Sequence, residues 1–160
     1  MKGNDKVIAV LNELLADELS AINQYMVHSE MCANWEYEKL HEAAEKRAIG
    51  EMKHAEKLIG RILFLEGRPM VSNLNPIAIG ATVEEQHKND LQSETGAVKA
   101  YNQAIRLCVE TGDNGSRALL ESILADEEAH LDWLEAQLDQ IAQMGLPNYL
   151  VEQAGVSTVP

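Results

Sequence analysis

Apolar positions recur at alternating steps of three and four through most of this chain, in four long runs. In the first run Ile8, Leu11, Leu15, Glu18, Ile22, Tyr25, Ser29 and Cys32 fall on one stripe. That is the spacing of a helix buried along one face. The third run repeats it with Glu84, His87, Leu91, Glu94, Val98, Tyr101, Ile105 and Cys108, each 76 residues after its counterpart. The second run places Glu51, His54, Leu58, Ile62 and Leu65 inward, and the fourth Leu120, Glu127, His130, Leu134 and Ile141. Helix and strand signals do not alternate and β-branched runs are few, so an all-α fold is expected.

Capping residues set the limits. Asn4 or Asp5 opens the first helix, expected over about 4–34. The second is expected over 37–66, stopped by Gly67 and kept from resuming by Pro69. Residues 67–81 carry two Pro and two Gly and form the one long connection. Thr82 and Glu85 form a capping box for the third helix, over 82–112. A turn at Gly112–Ser116 leads to the fourth, over 115–144, ended by Gly145. A short helix over 147–154 and a loose tail over 155–160 complete a single domain spanning 1–160. Short turns make each helix pair antiparallel, and the long segment makes helices two and three parallel. The expected fold is an antiparallel four-helix bundle with one long crossover and a short fifth helix.

The inward stripes carry chemistry as well as apolar bulk. Glu51-Met-Lys-His54 and Glu127-Glu-Ala-His130 are both Glu-x-x-His, and in a helix residues i and i+3 share a face. Glu18 and Glu94 lie 33 residues before Glu51 and Glu127 respectively. Four inward carboxylates repel one another and must take up protons or meet cations. Two divalent ions remove the conflict, and each histidine supplies one nitrogen. Two lone Glu with two Glu-x-x-His motifs is the known ligand arrangement of di-iron and di-manganese bundles. Carboxylate and imidazole without thiolate suit iron or manganese. One such motif alone would read as ordinary surface residues; two at matched offsets, all in inward phase, do not.

Charge sharpens this picture. The chain of 160 residues has 26 acidic against 13 basic residues, a net charge of −13. This argues against nucleic acid as a partner and suits attraction of cations, although a solvated acidic surface would have the same balance. Cys32 and Cys108 lack the short spacing of a zinc or redox motif and are read as free buried thiols. No apolar run approaches a membrane span. The opening MKGNDKVIAVLNELLADEL has acids throughout and reads as neither signal nor transit peptide, so a cytoplasmic location is expected. Met52 sits about 100° round the helix from Glu51, on a flank with Ile49, Glu56 and Ile59. Periodicity leaves it open between packing and binding haem iron through its thioether.

Beyond the ligand set, several blocks carry a closer likeness. They are Glu18-Leu-x-Ala-Ile-Asn-Gln-Tyr25, Glu51-Met-Lys-His-Ala55, Arg61-Ile-Leu-Phe-Leu-Glu-Gly67, Asp126-Glu-Glu-x-His-x-Asp-Trp-Leu-Glu135 and Met144-Gly-Leu-x-Asn-Tyr-Leu150. Over nearly its whole length the chain resembles the bacterioferritins. The resemblance implies a shell of 24 subunits, built from two-fold dimers, that stores iron. It implies a ferroxidase that oxidises Fe2+ with O2 or H2O2 at a di-iron centre held by Glu18, Glu51, His54, Glu94, Glu127 and His130, with Glu51 and Glu127 bridging. It implies Tyr25 as a hydrogen-bond or electron donor beside the centre. It also implies haem b, one per two subunits at the dimer interface, held by Met52 from each. A ferredoxin or reductase would dock there to release stored iron. The chain departs from some members at Lys46 and Gly50, where they carry a His and an acid facing the cavity; an inner iron site is not expected here.

Two other readings share part of this pattern. A non-storing di-iron peroxidase or oxygenase would use the same six ligands, together with a substrate cavity or an attached electron-transfer domain. A non-catalytic subunit of a mixed shell would lack part of the ligand set or the methionine, and this chain has both.

Overall fold

The computed structural model describes residues 1–155; most of the expected tail, from 156 onward, lies outside them. Four long helices, α1 (Asp5–Asn34), α2 (Glu38–Phe64), α3 (Val83–Thr111) and α4 (Asn114–Met144), are followed by a short α5 (Leu146–Gln153). There is no strand among the described residues. α1 packs along α2 and α3 along α4, and α1 against α3 joins the two pairs. This is the expected bundle with one crossover.

The caps form largely as the sequence indicates. The Asn4 side chain accepts from the Lys6 amide at 2.8 Å, and Thr82 Oγ1 from the Glu85 amide at 3.2 Å. α4 starts at Asn114, inside the expected turn, because the Asp113 carboxylate accepts from the Ser116 amide and caps it there. The left-handed residue that closes α2 is Glu66 (φ 61°) rather than Gly67. Gly67 is needed for a different reason: a Cβ there would sit 2.7 Å from the Ile8 side chain.

The crossover hangs from α1 by a ladder of polar side chains. Asn12 accepts from the Met70 amide, Ser20 from Asn75, Gln24 from Ala78 and His28 Nε2 from Gly80, at 2.7–3.1 Å. Positions 12, 20, 24 and 28 are multiples of four apart and so lie along one edge of the helix. This ladder satisfies backbone groups of an otherwise irregular segment.

Two apolar clusters fill the bundle. One contains Val7, Leu11, Leu15, Leu58, Ile62, Leu120 and Ile123; the other surrounds Tyr149 with Cys32, Leu40, Val83 and Ile141. Truncating Leu58, which is fully buried, to alanine would cost about 3 kcal/mol. Ile8 and Ile22 are only partly buried, while Val7 and Leu14 are buried, so the α1 stripe is rotated slightly from its expected phase. Glu84 stays outside the core and pairs with Lys88. Between the two clusters along the helices lies a buried polar layer.

Candidate metal centre

Four carboxylates meet in that layer. Glu18, Glu51, Glu94 and Glu127 come one from each long helix and are at most 3% exposed. His54 is as deeply buried, whereas the His130 side chain is 27% exposed. Two groups of ligand atoms, each within 4.8 Å, result: Glu18, Glu51, His54 and Glu127; and Glu51, Glu94, Glu127 and His130. Glu51 and Glu127 belong to both. The structure thus brings all six expected ligands together.

The two histidines sit differently. His54 Nδ1 lies 2.9 Å from Glu51, 3.1 Å from Glu127 and 3.6 Å from Glu18, and its Nε2 lies 3.0 Å from Asp126 Oδ2. His130 Nδ1 lies 3.9 Å from both Glu94 and Glu127 and has no hydrogen-bond partner among the described residues. A buried nitrogen left unpaired beside two carboxylates fits a site that a cation completes.

Electrostatics give the same picture. Burial raises the Glu51 carboxyl to about 7, helped by Glu18 and opposed by His54 and Arg47. Burial, then the charge of Glu127, pushes Glu94 well above the carboxylate range. Burial alone would lower His54, but hydrogen bonds to Glu127, Glu18 and Glu51 raise it to about 12. The metal-free cluster therefore holds protons where divalent ions would otherwise supply charge.

Two tyrosines cross-link the halves. Tyr25 on α1 donates to Glu94 on α3, and Tyr101 on α3 donates to Glu18 on α1. Burial and the adjoining carboxylates hold both hydroxyls well above their ordinary value, so they remain donors. A cavity of about 500 Å3 adjoins the layer and is lined by Tyr25, Arg47, His54, Glu94, His130 and Trp133, among others. A second, of about 260 Å3, touches all four carboxylates beneath Asn75 of the crossover. Asp17, which Asn75 hydrogen-bonds, also lines it.

Met52 lies away from this layer, on the outer flank of α2, and is 54% exposed beside Ile49 at 44%. Cys32 and Cys108 are buried and unpaired, and burial raises both thiols to about 11. Lys46 and Gly50 line the larger cavity. Three further residues at the centre have partners that the stripes and motifs do not predict. Arg47 reaches Glu51 and Glu127; it stands four residues before Glu51, an ion-pair spacing that went unused. Asp126 reaches His54 from the facing helix, which no spacing within one helix can show. Tyr101 was visible as the mate of Tyr25, but its bond to Glu18 was not.

The Ferritin-like domain family matches residues 8–144 of the chain. Curated relatives include bacterioferritins of Brucella melitensis, 42% identical over 93% of this chain and 92% of that protein, and of Rhodobacter capsulatus, 43% identical over 91% and 90%. A bacterioferritin of Mycolicibacterium paratuberculosis is 42% identical over 93% of this chain and 94% of its own length.

Proposed function

This chain belongs to the bacterioferritin family, whose members store iron in a multimeric shell and have ferroxidase activity, and from that premise we propose how its own residues carry the reaction. Glu18, Glu51, His54 and Glu127 hold one Fe2+; Glu51, Glu94, Glu127 and His130 hold a second, with Glu51 and Glu127 bridging. The observation that carries this is the pair of overlapping buried groups that share those two residues. Each ion gives up one electron, two together reducing O2 to H2O2, or H2O2 to water, with two protons taken up. Tyr25 and Tyr101 orient the terminal carboxylates Glu94 and Glu18. Fe2+ arrives beneath Asn75, and the product Fe3+ leaves past His130, the less tightly held ligand, to mineralise inside a 24-subunit shell of two-fold dimers.

Haem b is assigned to Met52. The exposed Met52 thioether, beside exposed Ile49 on the flank of α2, would hold the haem together with the same residue of a two-fold related copy. When bound, the haem supplies electron transfer for iron release, with a ferredoxin or reductase as donor. No helix among the described residues is long and apolar enough to cross a membrane. A cytoplasmic site of action remains part of the proposal.

Stopped-flow oxidation of Fe2+ by the metal-free protein tests the ligand assignment. A fast phase of two Fe2+ per chain is expected, and Glu51→Ala should abolish it, since it breaks both groups at once. A fast phase that survives Glu51→Ala would overturn the assignment.

A further inference from the structure

The carboxylate layer already contains one fixed cation. Arg47 Nη2 lies 2.5 Å from Glu51 Oε1 and 2.7 Å from Glu127 Oε2, and its Nε lies 3.4 Å from Glu94 Oε1. The side chain is 11% exposed, and its Nε has no hydrogen-bond partner among the described residues. The guanidinium carbon stands 6.0 Å from the centre of the Tyr25 ring. These three carboxylates are the ones that, with His130, make up the second metal group. The residue 76 positions later, where the repeat would place a matching cation for the first group, is Ile123, fully buried in the apolar core.

A guanidinium keeps its charge at any ordinary pH, so it cannot yield its place by losing a proton. It can yield only by moving. The larger cavity adjoins it, with Ala43, Ala44, Gly50 and Ala129 among its walls. A Cβ at Gly50 would meet nothing nearer than Arg47 Nη1, at 3.8 Å.

We propose that Arg47 is the resident counter-ion of the second metal position, holding Glu51, Glu94 and Glu127 together when that position lacks metal and withdrawing into the adjoining cavity when an ion binds. The two positions then fill in order. The first ion takes Glu18, Glu51, His54 and Glu127, through the oxygens of Glu51 and Glu127 that face His54 (Oε2 and Oε1) and not those that Arg47 holds (Oε1 and Oε2). The second ion competes with Arg47 and binds more weakly. This rests on the reading of the six residues as metal ligands.

Co2+ is bound by such ligands without being oxidised, so its binding to the metal-free shell can be followed by calorimetry and visible absorption with no turnover. Two steps per chain are expected, the second at least tenfold weaker. Arg47→Gln should tighten the second step at least tenfold and change the first less than threefold. It should also lower the melting temperature of the metal-free protein while leaving that of the Co2+-loaded form nearly unchanged. Arg47→Lys, which keeps the charge, should keep the two steps apart and guards against a mere folding defect. Equal steps in the unaltered protein, or an unchanged or weaker second step in Arg47→Gln, would overturn the proposal. Failure of the unaltered protein to bind Co2+ at these residues would instead overturn the six-ligand reading beneath it.

Discussion

The two halves of the bundle repeat the same pattern of Glu and His but do not hold it alike. In α1–α2, His54 is enclosed by three carboxylates at one nitrogen and by Asp126 at the other. In α3–α4, His130 Nδ1 lies 3.9 Å from two carboxylates and is hydrogen-bonded to neither, and no counterpart of Asp126 meets its other nitrogen among the described residues. The repeat explains the second difference: Asp126 is the 76-residue mate of Gly50, so the position that would support His130 has no side chain. The first difference comes from Arg47, whose mate is Ile123, and whose guanidinium takes up the carboxylates that would face His130. A duplicated framework thus yields one tightly built position and one loose one. Matching ligands set what a site can bind; the residues behind them set how firmly it does so.

Removing each histidine in turn should separate the two halves most strongly. Loss of an outer partner alone commonly costs 10–100-fold in metal affinity, so loss of a well-supported ligand should cost at least as much. His54→Ala is expected to weaken the first Co2+ step about a hundredfold, and His130→Ala to weaken the second only about tenfold. Equal losses would mean that the halves are functionally alike.

A milder test reaches only the support. Asp126→Asn should weaken the first step by roughly tenfold and leave the second almost unchanged, by the same reasoning. Gly50→Asp should do the reverse. A carboxylate there could orient His130 and draw Arg47 off the cluster, so the second step should tighten about fivefold, an order-of-magnitude expectation from the same range. Calorimetry on both variants reads these changes. If Gly50→Asp leaves the second step untouched, the missing side chain is not what loosens that half.

The smallest expected effect concerns pH. Glu51 is raised from 4.5 to about 7 and His54 from 6.5 to about 12, so the metal-free fold keeps protons that the unfolded chain has lost. Where the folded form binds more protons, stability falls as pH rises. These two groups should therefore weaken the metal-free protein from about pH 4.5 upward. His87, lowered from 6.5 to about 4 by burial and bonded to Tyr149 on α5, has the opposite sign. Its contribution is lost as pH falls from 6.5 to 4. Metal replaces the protons on Glu51 and His54 but not the environment of His87. The rise in melting temperature on Co2+ loading should accordingly grow by several degrees from pH 5.5 to 8. A constant rise would contradict the protonated cluster.

Much of this was legible in the sequence because helical periodicity and a duplicated register are strong local signals. The four helices, the crossover and the convergence of the six inward Glu and His side chains follow from stripes at three and four and from offsets of 76. What escaped is what depends on contact between helices. Asn12, Ser20, Gln24 and His28 looked like scattered polar residues until the crossover lay along them. Arg47 looked like one of 13 bases on a charged chain. Its length lets it enter the polar layer from a neighbouring turn, and the four-residue step to Glu51 gives only one of its three carboxylate partners. Glu66 takes the left-handed position beside a glycine that close packing on Ile8 requires.

Anomalous diffraction from crystals soaked in increasing Co2+ reads the order of filling directly. Two peaks about 3.5–4 Å apart are expected, both between Glu51 and Glu127. The one nearest Glu18 and His54 should fill first, and the one nearest Glu94 and His130 should appear only as Arg47 moves away. A single ion midway between the bridging carboxylates, or two peaks of equal occupancy at every concentration with Arg47 unmoved, would contradict it.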